Sequence, residues 1–179
     1  MKLESISNQL VIETPRFTLR PLQKSDAGLI ELYASDKRIA RSTTSIPHPL
    51  PPGTTDAYIA RVTADDRNED VWALDGNAHG HAELLGVVGL LDIDGNQSEI
   101  GYWIAPAFWN TGYASEAIKA LLAHNPRGRK SIFAEVFQDN PASARVLTNA
   151  GFEYIGDAET HSVARGANVE TWTYIKKMS

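Results

Sequence analysis

Ser98–Ala117, SEIGYWIAPAFWNTGYASEA, is the stretch whose reading decides the fold. Its first part alternates: Ile100, Tyr102 and Ile104 fall on one side of a strand, Glu99, Gly101 and Trp103 on the other. Ala105-Pro106 stops the pairing, because proline has no N–H for the next rung. The period then changes. Ala114, Ala117, Ile118, Leu121 and Leu122 recur as i, i+3, i+4, i+7, i+8, one face of a helix. Trp109-Asn110-Thr111-Gly112-Tyr113-Ala114 lies between strand and helix. A loop feeding a helix in this way aims several unpaired backbone N–H groups at one point, where the peptide dipoles add partial positive charge. That point seats phosphate well, and the small residues Gly112 and Ala114 let a bulky anion reach the main chain.

Outward from this centre the chain reads as alternating short elements. LVIETPRFTLRPL (10–22) is a strand interrupted by proline, and Ser25-Asp26 offers an N-cap for a helix through Ser35. Residues 43–53 are irregular, since Pro47, Pro49, Pro51 and Pro52 forbid a ladder. Thr54-Thr55-Asp56 caps a second helix with Tyr58, Ile59 and Val62 on one face. Asp70–Asp75 and Leu84–Asp92 are strands, the second apolar enough to be covered on both faces, its glycines marking a bulge or a close backbone approach. SIFAEV (131–136) is a further strand. Asn140-Pro141 opens a helix that Gly151 ends, and strands at 152–156 and 169–176 close the chain.

The composition, with 42% apolar and 22% charged residues, is that of an ordinary soluble globular protein, and 179 residues suit one domain, here taken as 1–179. No apolar run is long enough to span a membrane, and MKLESISNQL lacks the apolar core of a secretion signal. Without cysteine there is no disulfide, thiolate metal site or cysteine nucleophile, which fits a cytoplasmic setting. His79 and His81 sit in a glycine-rich turn without further ligands in view, so no metal is expected. The net charge of −5 is uneven. Residues 54–100 hold ten acids against two bases, a balance of −8, which leaves +3 elsewhere. A basic face for nucleic acid is missing. The acidic segment is either a solvated surface or a field that attracts cationic amines.

Trp109-x-x-Gly112-x-Ala114 resembles the acyl-CoA pyrophosphate loop of the GNAT N-acetyltransferases, Gln/Arg-x-x-Gly-x-Gly/Ala, with Trp109 at the first position. The wider IGYWIAPAFWNTGYASEA is similar to the RimJ/RimL branch, whose members acetylate ribosomal proteins and where an aromatic residue there is ordinary. The resemblance covers about residues 10–177. It implies an α+β, three-layer fold: a mixed, mostly antiparallel central sheet flanked by helices and splayed where acyl-CoA enters. It also implies an N-acetyltransferase that passes the acetyl group of acetyl-CoA to an amine, a protein N-terminus or a small molecule, by direct attack in a ternary complex. The alternative is a silent acyl-CoA-binding sensor of the same fold.

The resemblance further implies site residues. Trp109, Asn110, Thr111, Gly112, Tyr113 and Ala114 would hold the pyrophosphate, and Asn140 of Asn140-Pro141-Ala142-Ser143 the pantetheine arm. Ser143 would stabilise or protonate the departing CoA sulfur, while remaining open to reading as an ordinary helix residue. The oxyanion would meet a main-chain N–H near Ile104, at the splayed end of the central strand. For the base the candidate is Glu99, acting directly or through water, with Tyr102, Glu135 and His161 in reserve and Glu159 as an acid in the loop after the penultimate strand. His48 is a candidate acceptor contact or a solvated loop residue. Lys119, Arg145 and the basic loop 127–130 could reach the CoA 3′-phosphate or be surface charges. A monomer and a homodimer are both open.

Overall fold

The computed structural model describes residues 9–179; residues 1–8, most of the stretch read as lacking a secretion signal, lie outside the described residues. Eight strands form one sheet: β1 (Ile12–Glu13), β2 (Thr18–Pro21), β3 (Glu69–Asp75), β4 (Gly86–Asp94), β5 (Gln97–Ile104), β6 (Ser131–Phe137), β7 (Glu153–Ser162) and β8 (Ala167–Lys177). Their spatial order is β1-β2-β3-β4-β5-β6-β8-β7, and every neighbouring pair is antiparallel except β5–β6. The helices are α1 (Ala27–Ala34), α2 (Lys37–Ser42), α3 (Thr54–Thr63), α4 (Tyr113–His124) and α5 (Pro141–Asn149). This is the α+β, mostly antiparallel architecture that the resemblance implies, and the sheet is not closed into a barrel.

Alternation along β5 builds two cores. Ile100 and Ile104 join Ile118 and Leu121 of α4 and Leu147 of α5. Trp103 joins Ile30, Ile39, Ile59 and Val62 from α1, α2 and α3. Helices therefore cover both faces, three layers in all. β4 feeds both cores, with Val88 and Leu90 on one side and Val87 on the other, which is why its sequence is nearly all apolar.

The feature that makes a site is the divergence of β5 from β6. Their parallel pairing runs only from Gln97–Glu99 to Ser131–Phe133, so the carboxyl ends of the two strands separate. Beside the opening, Gly89 and Gly101 are paired across β4 and β5, leaving a groove floor without side chains there. Gly86 is a close approach, since a Cβ there would stand 2.3 Å from the Trp103 carbonyl oxygen. The bulge in β4 lies elsewhere, at Asp92/Asp94.

Several local expectations need correction. The helix anticipated from Ser25-Asp26 starts as a 3-10 turn, Lys24–Asp26, before α1. Asp26 makes no cap to α1; it is buried against Arg20, at 2.8 Å. Lys37–Ser42 was not anticipated as helical, although Asp36 caps it by accepting the Arg38 N–H at 2.9 Å. The last two strands are longer than anticipated. Glu159–Ser162, taken as loop, completes β7, because an edge strand can be polar on both faces and still pair all along β8.

Candidate active site

The groove opened by the splay has a volume of about 1550 Å³ and is lined by the 109–115 loop, the start of α5, β5 and β6, and the segment from α2 to α3. Its loop end is built without side-chain caps. Asn110 (φ 61°) and Gly112 (φ 83°) both adopt left-handed backbone, and no side chain bonds the first amides of α4. Those amides have no partner within the helix either. Trp109 folds back so that its indole N–H donates to the Ile104 carbonyl at 2.7 Å. The aromatic residue at the first loop position thus ties the loop to the end of β5. The Thr111 hydroxyl bonds the Phe108 carbonyl. Tyr113 turns its ring into the core against Phe17 and Phe108, so toward the groove it can offer only main chain; Ala114 keeps the way clear.

At the start of α5, Asn140 accepts the Ser143 N–H at 3.3 Å. That bond presents Ser143 to the groove, where its hydroxyl hydrogen-bonds the Tyr102 hydroxyl. Burial pushes the Tyr102 phenol up to about 12, with the Ser143 bond pulling the other way. Tyr102 is therefore a proton donor at neutral pH and unsuited to the reserve base role. Ile104 pairs with Gly86 at the last rung of β5, its carbonyl taken by Trp109.

Glu99 projects from the other side of β5, as its alternation with Tyr102 requires. Burial raises its carboxyl above the ordinary glutamate range, and the carboxylates of Glu135 and Glu69 raise it further. Glu69 is likewise raised by burial, Arg61 opposing. Glu135 accepts hydrogen bonds from Thr160 and Thr171, each at 2.6 Å, which fixes its carboxylate in place.

Other sequence candidates stand apart. Glu159 and His161 lie exposed on β7, bonded to Asn168 and outside the groove lining. His48 is exposed and also outside that lining. Arg127 and Arg129 are engaged with Asp70 (2.6 Å) and Asp92, and Lys119 is exposed on α4 outside the groove lining; Arg145 does line the groove. His81 meets the Tyr113 hydroxyl at 3.4 Å, and among the described residues no three His, Cys, Asp or Glu side chains cluster as metal ligands.

Two arginines were missed. Arg165, in the β7–β8 turn, pairs with Asp139 at 2.6 Å and donates to the Arg41 carbonyl at 2.8 Å, strapping that turn to the groove rim. Arg16 grips the loop behind Gly112, bonding the Thr111 carbonyl at 2.9 Å and Glu116 at 2.7 Å. Proline before it and the Phe-Thr-Leu strand after it were the only signal, and neither points to a loop 95 residues away.

Residues 16–153 match the family model described as acetyltransferase (GNAT) domain. The N-acetyltransferase YoaA of Bacillus subtilis (strain 168), itself uncharacterised, is 29% identical over 173 residues, 92% of this chain and 94% of the relative. Among solved structures, RimL, a ribosomal L7/L12 alpha-N-protein acetyltransferase in complex with coenzyme A, superposes with a TM-score of 0.81 at 17% identity, covering 94% of this chain and 98% of its own. A spermidine N-acetyltransferase from Vibrio cholerae, in complex with CoA and spermine, does so at 0.77 and 18%, covering 91% and 96%. The matched length, the splayed sheet and the uncapped loop agree: this chain belongs to the GNAT acetyltransferase family.

Proposed function

We propose that the protein transfers the acetyl group of acetyl-CoA to an amine by direct attack in a ternary complex. One observation carries the reading: the uncapped start of α4 opens on the same groove as the Asn140–Ser143 turn and the Tyr102 hydroxyl. The amides of 110–114 suit a pyrophosphate, Asn140 the pantetheine amides, and Ser143 the sulfur. Glu99, held above its ordinary range, takes the proton from the acceptor's ammonium so that the neutral amine attacks, or from the nitrogen after that attack. The new C–N bond forms as the C–S bond breaks. The thiolate is met by the Ser143 hydroxyl, which Tyr102 supplies with a hydrogen bond or a proton. The chain has no cysteine to carry an acyl group, which favours direct transfer over a thiol relay.

The acceptor is an amine of either a protein N-terminus or a small molecule. The IGYWIAPAFWNTGYASEA string favours the RimJ/RimL-like branch and hence an N-terminus first. A cysteine-free chain also fits a cytoplasmic enzyme, and no helix among the described residues is long and apolar enough to cross a membrane. The test is release of free CoA thiol from acetyl-CoA with a panel of N-terminal peptides, polyamines and amino acids. Amine-dependent release is expected. Tight CoA binding with no release on any amine would make the protein a sensor instead.

A further inference from the structure

Arg16 stands outside the groove lining, yet it lies against the loop and the first turn of α4 at Thr111, Gly112, Tyr113 and Glu116. Its Nη1 donates to the Thr111 carbonyl at 2.9 Å. Its Nη2 lies 3.3 Å from where a Cβ on Gly112 would stand. The guanidinium lies over the Tyr113 ring, 4.3 Å from the centroid. Its Nε and main-chain N–H reach the two Glu116 oxygens at 2.7 and 2.9 Å.

Two consequences follow from elementary chemistry. In a trans peptide the C=O and the next N–H point to opposite sides. Holding the Thr111 oxygen toward Arg16, away from the groove, therefore turns the Gly112 N–H toward it. Second, Glu116 is the acid in the first turn of α4. A carboxylate there steadies the helix but repels a second anion at the same end. Burial would raise the Glu116 carboxyl, but its hydrogen bonds, those from Arg16 foremost, outweigh this and keep it ionised; the guanidinium cancels its charge.

We infer that Arg16 is a positioning residue for the donor's pyrophosphate, setting the direction of the Gly112 amide and neutralising Glu116 from behind the loop. The inference rests on the acetyltransferase reading and concerns only the part of the donor beyond the pantetheine. The experiment compares acetyl-CoA with S-acetylpantetheine, a thioester donor lacking the pyrophosphate and the nucleotide. In Arg16→Met the ratio of kcat/KM for acetyl-CoA to that for S-acetylpantetheine should fall about tenfold or more, the scale of one hydrogen bond to a charged group. Arg16→Lys, which keeps the charge without the fork, should fall between wild type and Arg16→Met; it also carries the comparison if Arg16→Met does not fold. An unchanged ratio, or equal losses with both donors, would reduce Arg16 to a fold contact and overturn the inference. Should wild type turn over neither donor, the acetyltransferase reading fails. Calorimetric affinities for CoA and pantetheine, read as the same ratio, would then test Arg16 by themselves.

Discussion

At the scale of single residues, the proposed mechanism divides the chemistry between the paired hydroxyls and the raised glutamate. The Tyr102 phenol, pushed up to about 12, keeps its proton across the working range, so the Tyr102–Ser143 pair can supply a proton at neutral pH but offers no ionised base. Ser143→Ala should lower kcat by roughly tenfold to a hundredfold, the scale of a hydrogen bond to a developing charge. The acetyl-CoA KM should move little, because the thiolate exists only late in the reaction. Steady-state rates measured where chemistry limits turnover decide it, and an unchanged kcat would leave Ser143 as a helix residue. For Glu99 the sign is fixed by the direction of its shift. A raised carboxyl keeps its proton where an ordinary glutamate has lost it, so kcat/KM should fall as pH drops through a value above the usual glutamate range. Glu99→Gln should lose most of kcat and that limb of the profile. The same shift has a cost in stability. The folded chain binds this proton more tightly than the unfolded one, so stability is lost as pH rises through the folded value. Glu99→Gln should therefore melt higher than wild type at pH 8, with the gain shrinking toward pH 4. A flat pH profile in the wild type would remove Glu99 as base.

At the scale of elements, the proposed positioning of the donor falls to the strand–loop–helix unit. Gly112 has φ 83°, a region that costs an L-residue about 1–2 kcal/mol, and valine more. The added Cβ meets only the movable end of Arg16, so Gly112→Val should fold. Its loop amides would be misdirected, and the acetyl-CoA KM should rise at least about tenfold, the loss of one charged hydrogen bond. Normal donor affinity in the folded variant would remove the loop from the site. This unit was legible because β5 and α4 carry clean periods of 2 and 3.6, and α5 because Asn140-Pro141 is cap chemistry. α2 was not, since only Ile39 and Ala40 of its six residues are buried. The far half of β7, GDAETHS, was illegible because an edge strand needs no apolar face. Of the site, the local turns could be read. The Tyr102–Ser143 contact and the Arg16–Glu116 pair could not, for they join residues 41 and 100 positions apart.

At the scale of the molecule, folding redistributes charge. Of the ten acids of residues 54–100, folding takes three into ion pairs and leaves Asp56, Asp65, Asp66, Glu83 and Asp94 exposed. Asp70, Asp75 and Asp92 are matched by Arg127, Arg20 and Arg129, all from outside that segment, and Arg67 adds a second partner to the buried Asp70. Those pairs bind the strand ends and the 125–130 loop together, and they leave little field beyond themselves. Of that segment's acids Glu69 and Glu99 face the groove, joined by Glu135 from β6, with Arg61 beside Glu69, while Lys37, Arg38, Arg41, Arg145 and the Arg165–Asp139 pair line other parts of it. Burial hinders ionisation of Glu69 and Glu99, and a cationic acceptor would relieve both their mutual repulsion and their desolvation. An amine with a second positive charge should accordingly outrank an acidic one. Its kcat/KM should fall between 0.1 and 1 M salt, as the Debye length shortens from about 10 to about 3 Å. Glu69→Gln should flatten that salt dependence while leaving the rate with a neutral acceptor nearly unchanged. An acidic or neutral acceptor that proves best, with no response to salt, would mean that the trio serves the base alone and does not select the substrate.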